Sequence, residues 1–289
     1  MSTRAPLRPG RLSPRRKVPR GIDRPPYALL GDPGPTVAPR PRTPGEIEAI
    51  QHASDVASAA LAAAAAAIAP GVTTDELDEI AHDVMVSHGA YPSTLNYNGY
   101  PKSTCTSINE VICHGIPDLD TTLEDGDIIC VDVTAYVDGM HGDLNQTFAV
   151  GDVDQRSKDL MEATRQALAA GIAAVRPGAQ VREVGRAIEK QVRRRYGIVH
   201  QFGGHGVGPA FHDGLHVPHQ YDKRATSRFF VGQTLTIEPM LTLGSPDARI
   251  WEEDQWTAVT IDGSRCAQEE HTILVTEDGA RILTTHVPH

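Results

Sequence analysis

The chain has few cysteines, and none is spaced for metal or redox chemistry. Cys105, Cys113, Cys130 and Cys266 form no CxxC or CxxH pair, which excludes a zinc knuckle and a thioredoxin-like couple and leaves reduced thiols as the plain reading. Long hydrophobic runs are missing too. The most apolar stretch, Leu61 to Ala69, is too short and too rich in alanine to span a bilayer, and the basic N-terminus has no apolar segment behind it that would make a secretory signal. A cytoplasmic location and no membrane partner are therefore expected. Net positive charge is also lacking: 27 Lys+Arg stand against 37 Asp+Glu, a formal net charge of -10, which argues against DNA or RNA binding by the main body. What is present is 289 residues at 40% hydrophobic content, enough to bury a sizeable core.

The charge is unevenly spread. Up to residue 45 the chain carries ten Arg or Lys and only Asp23 and Asp32 as acids, so the remainder is markedly acidic. Roughly half of the 21 prolines also fall in residues 1–43, which show almost no hydrophobic periodicity. Such a stretch favours extended conformations and cannot bury a core of its own. The expectation is an extension over 1–43, solvated and lying on a body of residues 44–289, or else offering its Pro-x-x-Pro spacings, such as Pro6 to Pro9, to a partner.

From Pro44 the pattern becomes helical, and Glu46, Ile47, Ile50, Val56 and Leu61 predict a helix to about Ile68. Pro70-Gly71 breaks it, and Thr73 to Glu76 reads as the cap of a second helix ending near Gly89. A second pair follows over Arg156 to Val175 and Val181 to Tyr196. Strands are expected after each pair: Ile128 to Val137 and Met140 to Val150, then Thr234 to Leu243, Trp256 to Ile261 and Cys266 to Val275. Two halves of the same order, helices then antiparallel strands, make an α+β domain with a site between them the natural architecture.

Asp138-Gly139 between two apolar runs is a strong hairpin cue, and a two-residue loop there sets Asp132 opposite Asn145. Asp143, two places away, then shares the face of Asp132 as its diagonal neighbour. Two carboxylates held together among Ile129, Val131 and Val133 repel unless something positive lies between them. Glu238 and Glu270 are further acids in strands expected to be buried, and His205 sits in a glycine-rich stretch, Gly203 to Gly208, that lets other groups approach closely. Together they form one hypothesis: Asp132, Asp143, Glu238, Glu270 and His205 bind two divalent ions. The oxygen-rich set suits manganese, iron or cobalt at least as well as zinc. Two ions roughly 3.5 to 4 Å apart share a water, lower its pKa and polarise a carbonyl, which is amide-hydrolysis chemistry. His212 and His114 are the candidates to hold substrate and stabilise a tetrahedral intermediate.

These segments resemble the type I methionine aminopeptidases, a family with the so-called pita-bread fold. The resemblance is carried by Asn109-Glu-Val-Ile-Cys-His114-Gly-Ile-Pro117, the hairpin from Asp132 to Asp143, Gly204-His205-Gly-Val-Gly, Phe211-His212, Ile237-Glu238-Pro239-Met240 and Glu270-His271-Thr272, over about residues 44–283. It implies that Asp132, Asp143, His205, Glu238 and Glu270 are metal ligands and that His114 and His212 contact the scissile peptide. It further implies that Glu238 shuttles a proton, and that Tyr97, Tyr100, Cys105, Phe211 and Trp256 line the pocket for the methionine side chain. The implied activity is removal of the initiator methionine from nascent chains, with preference for small second residues, through attack of a hydroxide shared by the two ions. Glu269 departs from the family pattern, which often has an aromatic there.

The same scaffold serves exopeptidases that act beside proline, usually with a large extra N-terminal domain, and non-catalytic proteins that contact ribosomes or RNA. The latter are expected to have lost metal ligands, whereas all five positions are filled here. For the extension, its cationic character suggests docking to the ribosome.

Overall fold

The computed structural model describes residues 4–288; residues 1–3 of the expected extension and His289 lie outside them. Thr43 and Glu46 close a capping box at the start of helix α1 (Pro44–Ala66), each side chain accepting from the other's backbone N–H. Pro44 occupies the first turn, where a missing N–H costs nothing. Thr73 and Glu76 repeat the device at α2 (Thr74–Ser87). In the second half Asp154 caps α3 (Gln155–Ala173), accepting from the Ser157 N–H at 2.8 Å, and α4 (Arg182–Val192) follows. The sequence predicts α4 to Tyr196. It stops earlier because Arg193 and Arg194 adopt φ of 51° and 59°, and Gly197–Ile198 is drawn off to pair with Thr242 and Leu241.

The hairpin Ile128–Val137 and Met140–Ala149 has the expected register, with Val137 opposite Met140 and Asp132 opposite Asn145. Asp138 and Gly139 both have positive φ, 54° and 78°, as the tight hairpin loop requires. The hairpin packs on α1 through small residues, Ala53, Ala57, Ala60 and Ala64, which bring helix and sheet close. Gly142 marks the closest approach. A Cβ there would meet backbone of Ala53 and Ser54 well inside 3.0 Å, and backbone cannot turn aside. Gly142→Ala should therefore destabilise the protein by about 3 kcal/mol, the upper end of what overpacked cores lose. Thermal unfolding checks this, and an unchanged midpoint would mean that α1 can lift off the hairpin.

The strands of the second half differ from expectation. Thr234–Ile237 pairs with His271–Val275, Ile237 opposite His271, whereas Met240–Thr242 pairs with Cys266–Gln268, Met240 opposite Gln268. Each predicted strand is thus cut in two, at Glu238-Pro239 and at Glu269-Glu270. Pro239 has no N–H to give a ladder, so pairing stops there. Trp256 to Ile261 shortens to Ala258–Thr260. The cut strands meet the hairpin of the first half. Glu270 N donates to Asn145 O at 3.0 Å, and Thr147 Oγ1 donates to Gln268 O at 2.7 Å. One core gathers α1, α2 and the hairpin, another gathers α3, α4 and the second-half strands, and the seam between them carries the acids.

The extension lies on the body with little helix or strand and is largely exposed, as expected, but it is also pinned. Arg4 pairs with Asp127, Arg11 with Asp120 at 2.6 Å, and Arg16 with Asp75 and Asp78 at 2.9 and 3.0 Å. Val18, Tyr27 and Arg42 are buried. The basic extension and acidic body are complementary surfaces of one molecule. Arg8, Arg15, Lys17 and Arg20 remain exposed.

Candidate active site

The hairpin holds Asp132 and Asp143 on one face, as the register demands. Gly204–His205 is a two-residue strand, and its glycines matter for approach: a Cβ on Gly204 would meet Thr236 O, and one on Gly206 the Asp213 carboxylate. Glu238 and Glu270 come from the two strand breaks, where the backbone leaves its ladder. Ligand atoms of Asp143, His205 and Glu270 all lie within 4.8 Å of one another. His205 Nε2 is 3.5 Å from Asp143 Oδ2 and 3.8 Å from Glu238 Oε1. Asp132 lines the same cavity.

Each acid except Asp132 has a neutral hydrogen-bond donor that fixes it. Thr134 Oγ1 donates to Asp143 at 2.6 Å, Asn145 Nδ2 to Glu270 at 2.6 Å, and Thr236 Oγ1 and Gln268 Nε2 to Glu238 at 2.8 and 3.1 Å. Sequence reasoning missed these four. Thr134 and Asn145 were within its reach, since the hairpin register sets them opposite Asp143 and Asp132. Gln268 was not, because its approach depends on the strand breaks.

The cluster is electrostatically incomplete by itself. Burial, then the charges of Asp143 and Glu238, pushes the Asp132 carboxyl well above its ordinary range, and burial with its acidic neighbours does the same to Glu270. Burial lifts Glu238 to about 7 despite the opposing pull of His205. Burial works against a charge on His205 as well, but its bond to Asp143 and the neighbouring carboxylates outweigh that and raise it. Among the described residues no lysine or arginine pairs with these four acids. Four carboxylates around one imidazole, three of them oriented by neutral donors, fit divalent cations.

Every residue given a metal, catalytic or pocket role from the sequence lines one cavity of about 340 Å³: the five above, His114 and His212, and Tyr97, Tyr100, Cys105, Phe211 and Trp256. Phe202, Gln201, His216 and Met240 also line it and were not anticipated. The Tyr100 ring meets Trp256 edge-on at 5.1 Å, and Tyr97 meets Phe211 at 4.9 Å. His114 has φ of 58°, an uncommon backbone conformation for a residue with a side chain, and its ring stands edge-on to Phe202 and Trp256. Burial, then His205, lowers its pKa to about 4. The His212 ring lies 3.9 Å from that of His205; the residue is solvent-exposed, and crowding by surrounding protein atoms, followed by three neighbouring imidazoles, lowers its pKa well below the ordinary value. Both shifts favour the neutral imidazole. Glu269 does not line the cavity. It is fully buried, 3.5 Å from His286 Nδ1, with its carboxyl pushed by burial to about 8.

Comparisons with known proteins identify the family. The model of metallopeptidase family M24 matches residues 48–277. The chain is 51% identical to methionine aminopeptidase 2 of Mycobacterium tuberculosis, over 98% of this chain and 99% of that one. It is 48% identical to the chloroplastic/mitochondrial methionine aminopeptidase 1D of Arabidopsis thaliana, over 96% of this chain and 79% of that one. The crystal structure of methionine aminopeptidase from Rickettsia prowazekii superposes with a TM-score of 0.83 at 39% identity, covering 86% of this chain and all of the other. The relatives named over nearly the full length act on methionine, which leaves the proline-related and non-catalytic alternatives without support. A broken-strand α+β scaffold with a buried carboxylate cluster, matched at this identity and coverage, has one meaning: the chain belongs to metallopeptidase family M24, among its methionine aminopeptidases of the pita-bread fold.

Proposed function

We propose that this cavity is where the aminopeptidase removes the initiator methionine, with Asp132, Asp143, His205, Glu238 and Glu270 holding the two divalent ions. One observation carries the reading: a cluster of four carboxylates with one imidazole lines the same cavity as an aromatic and sulfur-bearing wall. The ions, when bound, supply an activated water near neutral pH and an electrophile for the scissile carbonyl. The remaining work falls to the chain itself. The neutral rings of His114 and His212 donate hydrogen bonds to the reacting peptide and to the charge that develops on its oxygen. Glu238 carries the proton from the attacking water to the leaving amine. Tyr97, Tyr100, Cys105, Phe211 and Trp256 enclose the methionine thioether, a flexible and polarisable group suited to aromatic walls.

Release of methionine from Met-Ala-Ser after chelation, followed by addition of cobalt, manganese, iron or zinc, tests this. Metal-restored turnover is expected, with no release from Leu-Ala-Ser and slower turnover of Met-Lys-Ser. Rates that ignore metal, or equal rates on methionine and leucine, would defeat the assignment.

Nascent chains as substrates support a cytoplasmic location, and no described helix is long and apolar enough to cross a membrane. The exposed Arg15, Lys17 and Arg20 are suited to ribosomal RNA phosphate. Because the extension is packed into the body, the test is charge reversal rather than deletion. Changing all three to Glu should weaken salt-sensitive co-sedimentation with ribosomes while peptide turnover stays unchanged, and equal sedimentation would end the idea.

A further inference from the structure

The wall of the cavity formed by Tyr97 and Phe211 is made of irregular backbone. Tyr97 sits in a short 3-10 turn, Tyr97–Gly99, whose flanking Asn96 and whose own Asn98 have φ of 66° and 47°. Phe211 and His212 lie in a loop with no ladder of its own. Both are held by turn and loop hydrogen bonds, such as Tyr97 N to Thr94 O and Asp213 N to Gly206 O, rather than by a strand ladder.

Both are gripped from behind by the extension. The Tyr27 ring, 3% exposed, stands edge-on to Tyr97 at 5.0 Å and nearly parallel to His141 at 6.2 Å. His141 in turn lies parallel to Phe211 at 5.4 Å, with 13° between the planes. Tyr27 Oη donates to Ser93 O at 2.7 Å, and Ser93 Oγ is bonded to His141 Nδ1 at 2.8 Å, so the hydroxyl and the ring hold the same group. The neighbouring Ala28 O accepts from Asn96 Nδ2 at 3.0 Å. Further along, Val37 O accepts from Gly214 N at 2.8 Å, and the buried Arg42 guanidinium reaches Asp213, next to His212, at 3.4 Å. Tyr27 and His141 do not themselves line the cavity.

We propose that the extension buttresses the wall of the substrate pocket from behind and that Tyr27 is a positioning residue for methionine specificity, acting through His141 on Phe211 and directly on Tyr97. Contacts between rings are directional, so the ring of Tyr27 limits how far the two wall rings can retreat. Without it they relax outward, the pocket widens, and a thioether loses its fit while bulkier side chains gain room.

The inference rests on the cavity being the methionine site. It is tested on the full chain with Tyr27→Ala, Tyr27→Leu and Tyr27→Phe, beside Arg11→Ala, which removes a solvent-exposed pair elsewhere on the extension. Tyr27→Ala and Tyr27→Leu should raise KM for Met-Ala-Ser by about tenfold, the low end of what a one-methylene misfit costs in an apolar pocket, with a smaller fall in kcat. The preference for Met-Ala-Ser over Leu-Ala-Ser should narrow with it. Tyr27→Phe keeps the stack and should restore both, and Arg11→Ala should change neither. Wild-type KM and selectivity in Tyr27→Leu would overturn the inference, as would equal shifts in Arg11→Ala, or failure of both the Ala and Leu variants to fold, which would assign Tyr27 to folding alone. A wild-type protein indifferent to methionine would instead remove the pocket reading itself.

Discussion

Asp143→Ala should lower metal-stimulated methionine release by more than ~100-fold while leaving the protein folded. Loss of a hydrogen-bond partner behind a metal ligand costs about 10- to 100-fold in affinity or activity, and Asp143 is placed to be a ligand itself. It lies in the tightest part of the cluster, with His205 Nε2 on one side and Thr134 Oγ1 on the other. The stability effect has the opposite sign. Without metal, Asp143 contributes to the repulsion that pushes Asp132 and Glu270 upward, so removing its charge relieves the cluster. Metal-free Asp143→Ala should therefore melt no lower than metal-free wild type, yet gain much less from added metal, since a ligand stabilises only in proportion to its affinity for the folded state. Kinetics and melting with and without metal check both signs. Wild-type turnover in this variant would refute the assignment of the cluster, and a large loss of metal-free stability would make Asp143 a folding residue.

The second large effect is expected at His212. Replacing it with alanine should reduce kcat by about 10²- to 10³-fold, the usual consequence of losing one donor to a developing oxyanion, with a smaller change in KM. Burial and the surrounding imidazoles of His205, His114 and His141 favour the neutral ring, which carries one N–H to donate. Its pKa lies well below the ordinary histidine value, and the rate should show no titration of His212 near that value. A His212→Ala variant that loses only substrate affinity would make the ring a part of the pocket wall and leave His114 as the donor to the reacting peptide.

Much of the site was legible because strand chemistry is local. Alternation along the hairpin sets Asp132 and Asp143 on one face whatever the rest of the chain does, and an acid inside a run of Ile and Val signals a compensating charge. Glu238 and Glu270 stood out for the same reason, yet their setting differed: each is at the end of a strand, not within one. Gln268, Phe202 and Gln201 gave no comparable signal, since a polar or aromatic residue near a glycine-rich stretch has many ordinary uses. The extension was the largest difference. With little periodicity it reads as solvated, but scattered ion pairs to Asp127, Asp120, Asp75 and Asp78 and a few buried side chains hold it, and none of those partners is near it in sequence.

By itself the sequence determined the features that turn chemistry and side-chain alternation dictate locally. The capping boxes at Thr43 and Thr73 start α1 and α2, the Asp138-Gly139 loop sets the hairpin register, and the order of helices and strands makes the chain α+β. Only the tertiary structure decided where Thr234 to Leu243 and Cys266 to Val275 break, which way Glu269 turns, and that Tyr27 lies behind Tyr97 and Phe211. Those outcomes depend on partners far away along the chain, chosen by the packing of two halves against each other, and no local pattern encodes the choice.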